Sequence, residues 1–124
     1  MGLPSFLLRK LYARGSLRAT DDGGFTFALQ NPLGTATLIS PPDIVINGIR
    51  HDPAAVAADT GVDLAAISRD HPFRFAKGDK VTLSFKGHLL RGGNRIHVAA
   101  YTKEWGELDI FAEETAPPYG DEEE

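Results

Sequence analysis

Three runs in the second half of the chain alternate apolar and polar residues, a pattern typical of β-strands that bury one face. The apolar positions are Val81, Leu83 and Phe85 in the first run, Ile96, Val98 and Ala100 in the second, and Leu108 and Ile110 in the third. We therefore predict three strands joined as a β-meander from Lys80 to Ala112, with the rest of the chain packed against them.

The first half of the chain carries the same alternation around turn residues. Residues 11–18 alternate and predict a first strand, Asp21-Asp22-Gly23-Gly24 supplies turn chemistry, and residues 25–29 place Phe25, Phe27 and Leu29 on one face. These two runs predict a hairpin.

Two further strand signals follow. Residues 35–39 are rich in threonine and stop at Pro41-Pro42, which predicts a third strand. Asn47-Gly48 between the apolar run 44–46 and Ile49 is the strongest hairpin signal in the chain, because a type I′ turn needs positive φ at both central residues.

The stretch 52–67 supports two interpretations. Asp52 followed by Pro53 predicts the start of a helix, and Gly61 could end that helix. The same residues also fit a small hairpin arm, and we favour β structure for 56–64 with a helical turn at 64–67. Phe73 and Phe75 then begin the next strand.

About eight short strands need a second layer to cover their apolar faces. We predict an all-β fold, a single small antiparallel β-sandwich with one short helical turn, spanning residues 1–115. Residues 116–124 contain two prolines and four acidic residues, which predicts a flexible acidic tail.

Composition narrows the function classes. The net charge of −4 disfavours nucleic-acid binding, and the absence of cysteine excludes thiolate metal sites. The apolar run 6–8 is too short for a membrane span, so we expect a cytoplasmic protein without membrane contact. We find no catalytic motif and predict no catalytic residues and no cofactor.

Two groups of side chains are candidates for binding. His51, Asp70 and His71 are chemically suited to a metal ion, but their spacing matches no known site, and solvated loop histidines are the simpler interpretation. His97 and Tyr101 lie on the strand face opposite Ile96, and together with Trp105 they form a predicted interface patch. A turn tryptophan more often caps a core.

The turn and core positions of the chain resemble those of the small β subunit of C-glycoside deglycosidases, over about residues 23–111. The positions that carry this resemblance are Phe25 to Leu29 with Asn31-Pro32, Ile44 to Gly48, Phe75 to Gly78, Val81 to Phe85, Leu90 with Gly93, and Ile96 to Ala100. The resemblance implies a sandwich that accompanies an α/β-barrel catalytic subunit acting on carbohydrates.

The chain also resembles short archaeal proteins, some of which carry a hydroxymethylglutaryl-CoA reductase label. The length of 124 residues leaves no room for that enzyme's two-site architecture, and no nucleotide-binding segment is recognisable, which disfavours this assignment.

We therefore expect a non-catalytic subunit or interaction module that docks on a larger protein. The alternatives are a small ligand- or metal-binding domain with its own activity, and a homo-oligomeric structural protein that pairs through edge strands.

Overall fold

The computed structural model describes residues 3–115, which form two antiparallel sheets with a core between them. A short helix, α1 (Ser5–Leu8), precedes the first strand. The strands are β1 (Arg18–Ala19), β2 (Gly24–Gln30), β3 (Ala36–Leu38), β4 (Asp43–Ile46), β5 (Ile49–His51), β6 (Ala57–Ala58), β7 (Phe73–Phe75), β8 (Lys80–Lys86), β9 (Gly93–Thr102) and β10 (Gly106–Thr115).

The first sheet has the order β1-β2-β8-β6, and the second has the order β5-β4-β9-β3-β7. Strand β10 pairs with β9 along the whole length of both strands. The predicted all-β fold is confirmed. The described residues form ten strands rather than about eight, and two of them, β1 and β6, are only two residues long.

The predicted meander is wrong, although each of its strands exists. Strand β8 pairs with β2 and β6 in the first sheet, whereas β9 and β10 belong to the second. The connector 87–92 therefore carries the chain from one sheet to the other. Alternation shows which face of a strand is buried. It does not show whether two strands lie side by side in one sheet or face each other across a core, because both arrangements give the same alternation.

The predicted first strand, residues 11–18, is also wrong for most of its length. Residues Arg9–Leu11 form a 3-10 turn, and between residues 3 and 17 the strand pairing is a single bridge between Tyr12 and Leu29. Leu11, Tyr12 and Ala13 are buried one after another, whereas Arg14 and Gly15 are exposed, so burial in this segment does not alternate with a period of two. It closes one side of the sandwich.

A carboxylate fastens that closing segment to the second sheet. Glu114 on β10 accepts hydrogen bonds from the Tyr12 hydroxyl at 2.8 Å and from the Gly15 amide. Burial, and after it the hydrogen bond to Glu114, raises the pKa of Tyr12, so the phenol keeps its proton and remains a donor.

Stacked aromatic rings form the centre of the core. The Phe85 ring lies parallel to that of Phe25, with centroids 4.9 Å apart, and nearly parallel to that of Phe27 at 5.1 Å. All three side chains are at most 4% exposed. The predicted buried face of β8, with Val81 and Leu83 beside Phe85, is confirmed.

The Asn47-Gly48 hairpin is confirmed, with φ of 53° at Asn47 and 81° at Gly48. The Asn47 amide donates to the side-chain oxygen of Asn94 at 2.9 Å, and its own oxygen accepts from the Arg95 amide at 2.8 Å. The Asn94 oxygen also accepts from the backbone of Leu90 at 2.7 Å. One fully buried amide therefore fixes both the hairpin and the crossing connector relative to β9.

The stretch 52–67, for which the sequence supports two interpretations, contains both helical turns and a short strand. Asp52 caps a 3-10 turn over Pro53–Ala55, strand β6 then pairs with β8, and a second 3-10 turn covers Leu64–Ala66. The favoured β structure is confirmed only at Ala57–Ala58, and the helical turn is confirmed. The predicted tail, residues 116–124, lies outside the described residues.

We expect Phe85→Ala to lower the free energy of unfolding by about 3 to 5 kcal/mol, because it removes a ring that stacks on two others. The measurement is chemical denaturation. Thr82→Ala, on the other face of the same strand, should cost far less. Equal losses for the two variants would contradict the assignment of faces.

We expect Gly48→Ala to destabilise the protein by about 1 kcal/mol or more, because the new side chain must adopt positive φ. Gly92→Ala is a matched control, since an added Cβ has open space at both positions and only Gly48 has positive φ. Thermal melts that shift equally for both variants would show that the turn conformation does not limit stability.

Candidate functional site

The two outer faces of the sandwich differ in chemistry. On the first sheet, the outward positions of β8 are polar or charged: Lys80, Thr82, Ser84 and Lys86. Such a face is well solvated as it stands. The outward face of the second sheet carries aromatic and aliphatic side chains, and we describe it as the candidate site.

The centre of this face is a row of three side chains on adjacent strands. Val45 on β4 and Phe111 on β10 both pair with His97 on β9, one on each side. Ala99 and Tyr101 continue the same face along β9. We call Val45, His97, Ala99, Tyr101 and Phe111 the outer aromatic face.

The His97 side chain is held by two contacts. Its Nε2 lies 2.9 Å from Oδ1 of Asp109, and its ring stacks on Phe111 with centroids 4.2 Å apart and planes 5° apart. Phe111 itself is 60% exposed and Tyr101 is 38% exposed. The imidazole is therefore fixed in place, while the phenyl ring above it remains open to a partner.

Charged residues surround these apolar side chains. Arg50 pairs with Asp43 at 2.9 Å on one side, and Arg95 lies opposite Glu113 in the β9–β10 register on the other. An apolar centre with a charged rim is the usual composition of a protein–protein interface.

A groove of about 1320 Å³ crosses this face towards α1. The residues that line it include Leu8 and Arg9 from the first turns of the chain, and Val45, His97 and Phe111 from the second sheet. The groove therefore joins the outer aromatic face to the segment that closes the sandwich.

The structure brings together two of the three residues predicted for an interface patch. His97 and Tyr101 share the outward face of β9, as predicted. Trp105 is partly buried against the core, and its indole N–H donates to the carbonyl of Thr35 at 3.2 Å. Its contacts are those of a tryptophan that caps the end of the core.

The metal candidates occupy two different environments. The His51 ring packs edge-on against Phe85 at 5.2 Å and Phe25 at 6.1 Å, at the margin of the core. Asp70 and His71 lie in an exposed turn closed by hydrogen bonds between Ser68 and His71. Within residues 3–115, no three histidine or acidic side chains gather into a group that could hold a metal ion.

Sequence reasoning missed Phe111 and Asp109, the two residues that contact His97. The signal was present, because Phe111 alternates with Leu108 and Ile110 and must point to the opposite face of β10. An aromatic residue on the solvent side of a strand is the informative exception to that pattern.

These features define a small two-sheet antiparallel β domain with one aromatic outer face. The chain belongs to the family described as hydroxymethylglutaryl-CoA reductase, N-terminal domain, whose model matches residues 7–116. No curated protein matches the chain. Among the residues that the structure describes, no helix has the length and apolar character needed to cross a membrane.

The family match corrects the resemblance to the small β subunit of C-glycoside deglycosidases, which was wrong. The positions behind that resemblance are turn glycines and inward apolar residues, which many antiparallel sandwiches require. The length of 124 residues does not weigh against the reductase label, because the matching family is named for one domain of a larger enzyme and not for a complete enzyme.

We expect the stability of the protein to fall as the pH drops below about 6.5, in part because of His51. Burial lowers the pKa of His51, so the unfolded chain binds this proton at higher pH than the folded chain does. Stability therefore rises with pH across this range. Denaturation of His51→Gln at pH 5 and pH 7.5 should show a smaller difference than the wild type, and an unchanged difference would contradict the assignment.

Proposed function

We propose that this chain is a non-catalytic domain or subunit that docks on the catalytic part of a hydroxymethylglutaryl-CoA reductase through the outer aromatic face. In this proposal the chain contributes contact and orientation, and the chemistry belongs to the larger partner.

The family name supports the first half of the proposal. It describes an N-terminal domain of a reductase, and the match covers most of the chain. A domain of this kind has its catalytic counterpart either in the same polypeptide or in a separate one.

The contrast between the two outer faces is the observation that carries the second half. One face presents Lys80, Ser84 and Lys86, and the other presents Phe111 and Tyr101. Aromatic residues are enriched among those that contribute most to binding, provided that the complex removes them from water. Phe111 meets this condition, because its ring is exposed and the histidine beneath it is already held by Asp109.

The test is a binding titration between this chain and the catalytic part of the reductase. We expect Phe111→Ala with Tyr101→Ala to weaken binding about thirtyfold or more, which corresponds to about 2 kcal/mol. Both side chains point away from the core, so the circular dichroism spectrum of the variant should remain native.

Phe6→Ala is the matched control. Phe6 is 59% exposed on α1, about as exposed as Phe111, but it does not line the groove. Its replacement should leave binding unchanged. Full binding by the folded double variant would exclude this face as the docking surface, and a stable homo-oligomer without affinity for the catalytic part would favour a structural role instead.

A further inference from the structure

Strand β10 lies at an edge of the second sheet. Within residues 3–115 it pairs with β9 and with no other strand, although it is ten residues long. An edge strand of this length carries a row of backbone N–H and C=O groups to which a further strand can bind. The residues that carry these groups can be identified, because the backbone groups of successive residues in an antiparallel strand point to alternate sides.

The hydrogen bonds of β9 show which residues of β10 face the open edge. Strand β10 pairs with the whole of β9, so β3 and β4 pair with the other side of β9. On that other side, the Tyr101 carbonyl accepts from the Ile39 amide at 3.0 Å. The Arg95 carbonyl accepts from the Asn47 amide at 2.9 Å. Odd-numbered residues of β9 therefore face away from β10, and the even-numbered residues bond to even-numbered residues of β10. The odd-numbered residues of β10 direct their backbone groups to the open edge.

The free part of this edge precedes Glu114. That residue accepts from the Tyr12 hydroxyl, so the segment that closes the sandwich lies beside the end of β10. Among the residues that the structure describes, nothing bonds to the outward backbone groups of Glu107, Asp109 and Phe111. These three residues offer three N–H donors and three C=O acceptors to an added strand.

The side chains along the free edge select the chemistry of an added strand. On the outer face, Glu107 and Asp109 are acidic and Phe111 presents an exposed aromatic ring. Basic side chains opposite these positions form cross-strand ion pairs and a cation–π contact. On the inner face, Leu108 and Ile110 point into the core, so aliphatic side chains suit the positions beside them.

A second copy of this chain fits the same edge poorly. We considered a two-fold antiparallel pairing of β10 with its counterpart, centred on any residue from 108 to 111. In each case a carboxylate of Glu107, Asp109 or Glu113 lies directly opposite another carboxylate. Like charges in that position destabilise a sheet, whereas a basic strand meets opposite charges. The acidic row therefore disfavours self-pairing and favours a different partner.

We propose that the free edge of β10 binds an antiparallel strand in which basic residues alternate with aliphatic ones. The identity of the partner rests on the proposed function: the protein that covers the outer aromatic face supplies this strand. Phe111 belongs to both surfaces, so one partner can pair with the edge and cover the ring. The direction follows the rest of the fold, because every strand pairing between residues 3 and 115 is antiparallel.

The isolated chain can be tested with a blocked synthetic pentapeptide, Lys-Val-Lys-Val-Lys, observed through the amide NMR signals of the protein. We expect the signals of Glu107, Asp109 and Phe111 to shift until they saturate. The signal of Ser84, on the outer face of the other sheet, should not move. Glu-Val-Glu-Val-Glu is the charge control and should cause no shift, because its carboxylates oppose Glu107 and Asp109.

Two N-methylated forms of the lysine peptide separate strand addition from charge attraction alone. In the proposed pairing, the backbone of each lysine faces β10 and the backbone of each valine faces solvent. A methyl group on the nitrogen of the central lysine should abolish the shifts, whereas one on a valine nitrogen should leave them. Binding that tolerates the lysine methyl group, or an unmodified peptide that shifts no signal in β10, would overturn the proposal.

Amide hydrogen exchange in the complex with the catalytic part of the reductase tests whether that partner supplies the strand. Exchange at Glu107, Asp109 and Phe111 should slow about tenfold or more, because these amides gain hydrogen bonds. The amides of Leu108 and Ile110 already face β9 and should change less. A complex in which the three edge amides exchange as fast as in the free chain would exclude strand addition and leave docking through the outer face intact. Absence of any complex would instead remove the proposed function, and the peptide titration would still decide whether the edge accepts a strand.

Discussion

Strand β9 is the constraint on which the rest of the structure depends. It is the longest central strand of the second sheet, with β10 on one edge and β4 on the other, and its pleat sends alternate side chains to opposite faces. Ile96 and Val98 are at most 2% exposed in the core. The same geometry forces His97 and Tyr101 outward, onto the face where Phe111 stacks on His97. The buried core and the outer aromatic face are therefore two consequences of one strand.

Hydrogen bonds of two side chains, Asn94 and Glu114, fix β9 and its partner strand relative to the neighbouring segments. The buried Asn94 amide joins its beginning to the Asn47 turn and to the crossing connector, and Glu114 joins its partner strand to Tyr12. Removing one partner of a buried hydrogen bond costs more than the bond itself contributes, because the other partner is left desolvated. The face that carries His97 is thus presented on a rigid support, which favours recognition by contact.

The sequence predicted the local features of this fold more reliably than the global ones. The buried face of β8 and the Asn47-Gly48 turn follow from period-two alternation and from the φ requirement of the turn, and both were confirmed. The placement of β8 in the other sheet could not be read from alternation, because a strand across the core and a strand beside it show the same pattern. Tyr12 was misassigned because it is buried together with its neighbours Leu11 and Ala13, whereas period-two alternation places consecutive residues on opposite faces.

The candidate site was only partly predictable. His97 and Tyr101 followed from their positions on β9, but the contact of His97 with Asp109 and Phe111 depends on the register of β10, which no local pattern specifies. Trp105 looked like a partner in the sequence because it is close to Tyr101 along the chain. In the structure its indole N–H donates a hydrogen bond to the backbone carbonyl of Thr35.

Hydroxyl-radical footprinting of the chain alone and in complex with the catalytic part of the reductase is the most direct test of the central claim, that the outer aromatic face is covered in the assembly. The account predicts that oxidation of Phe111, Tyr101 and His97 falls on complex formation, while oxidation of Phe6, which is equally exposed, does not change. Unchanged oxidation of Phe111 in a complex that protects Phe6 or Leu90 would contradict it.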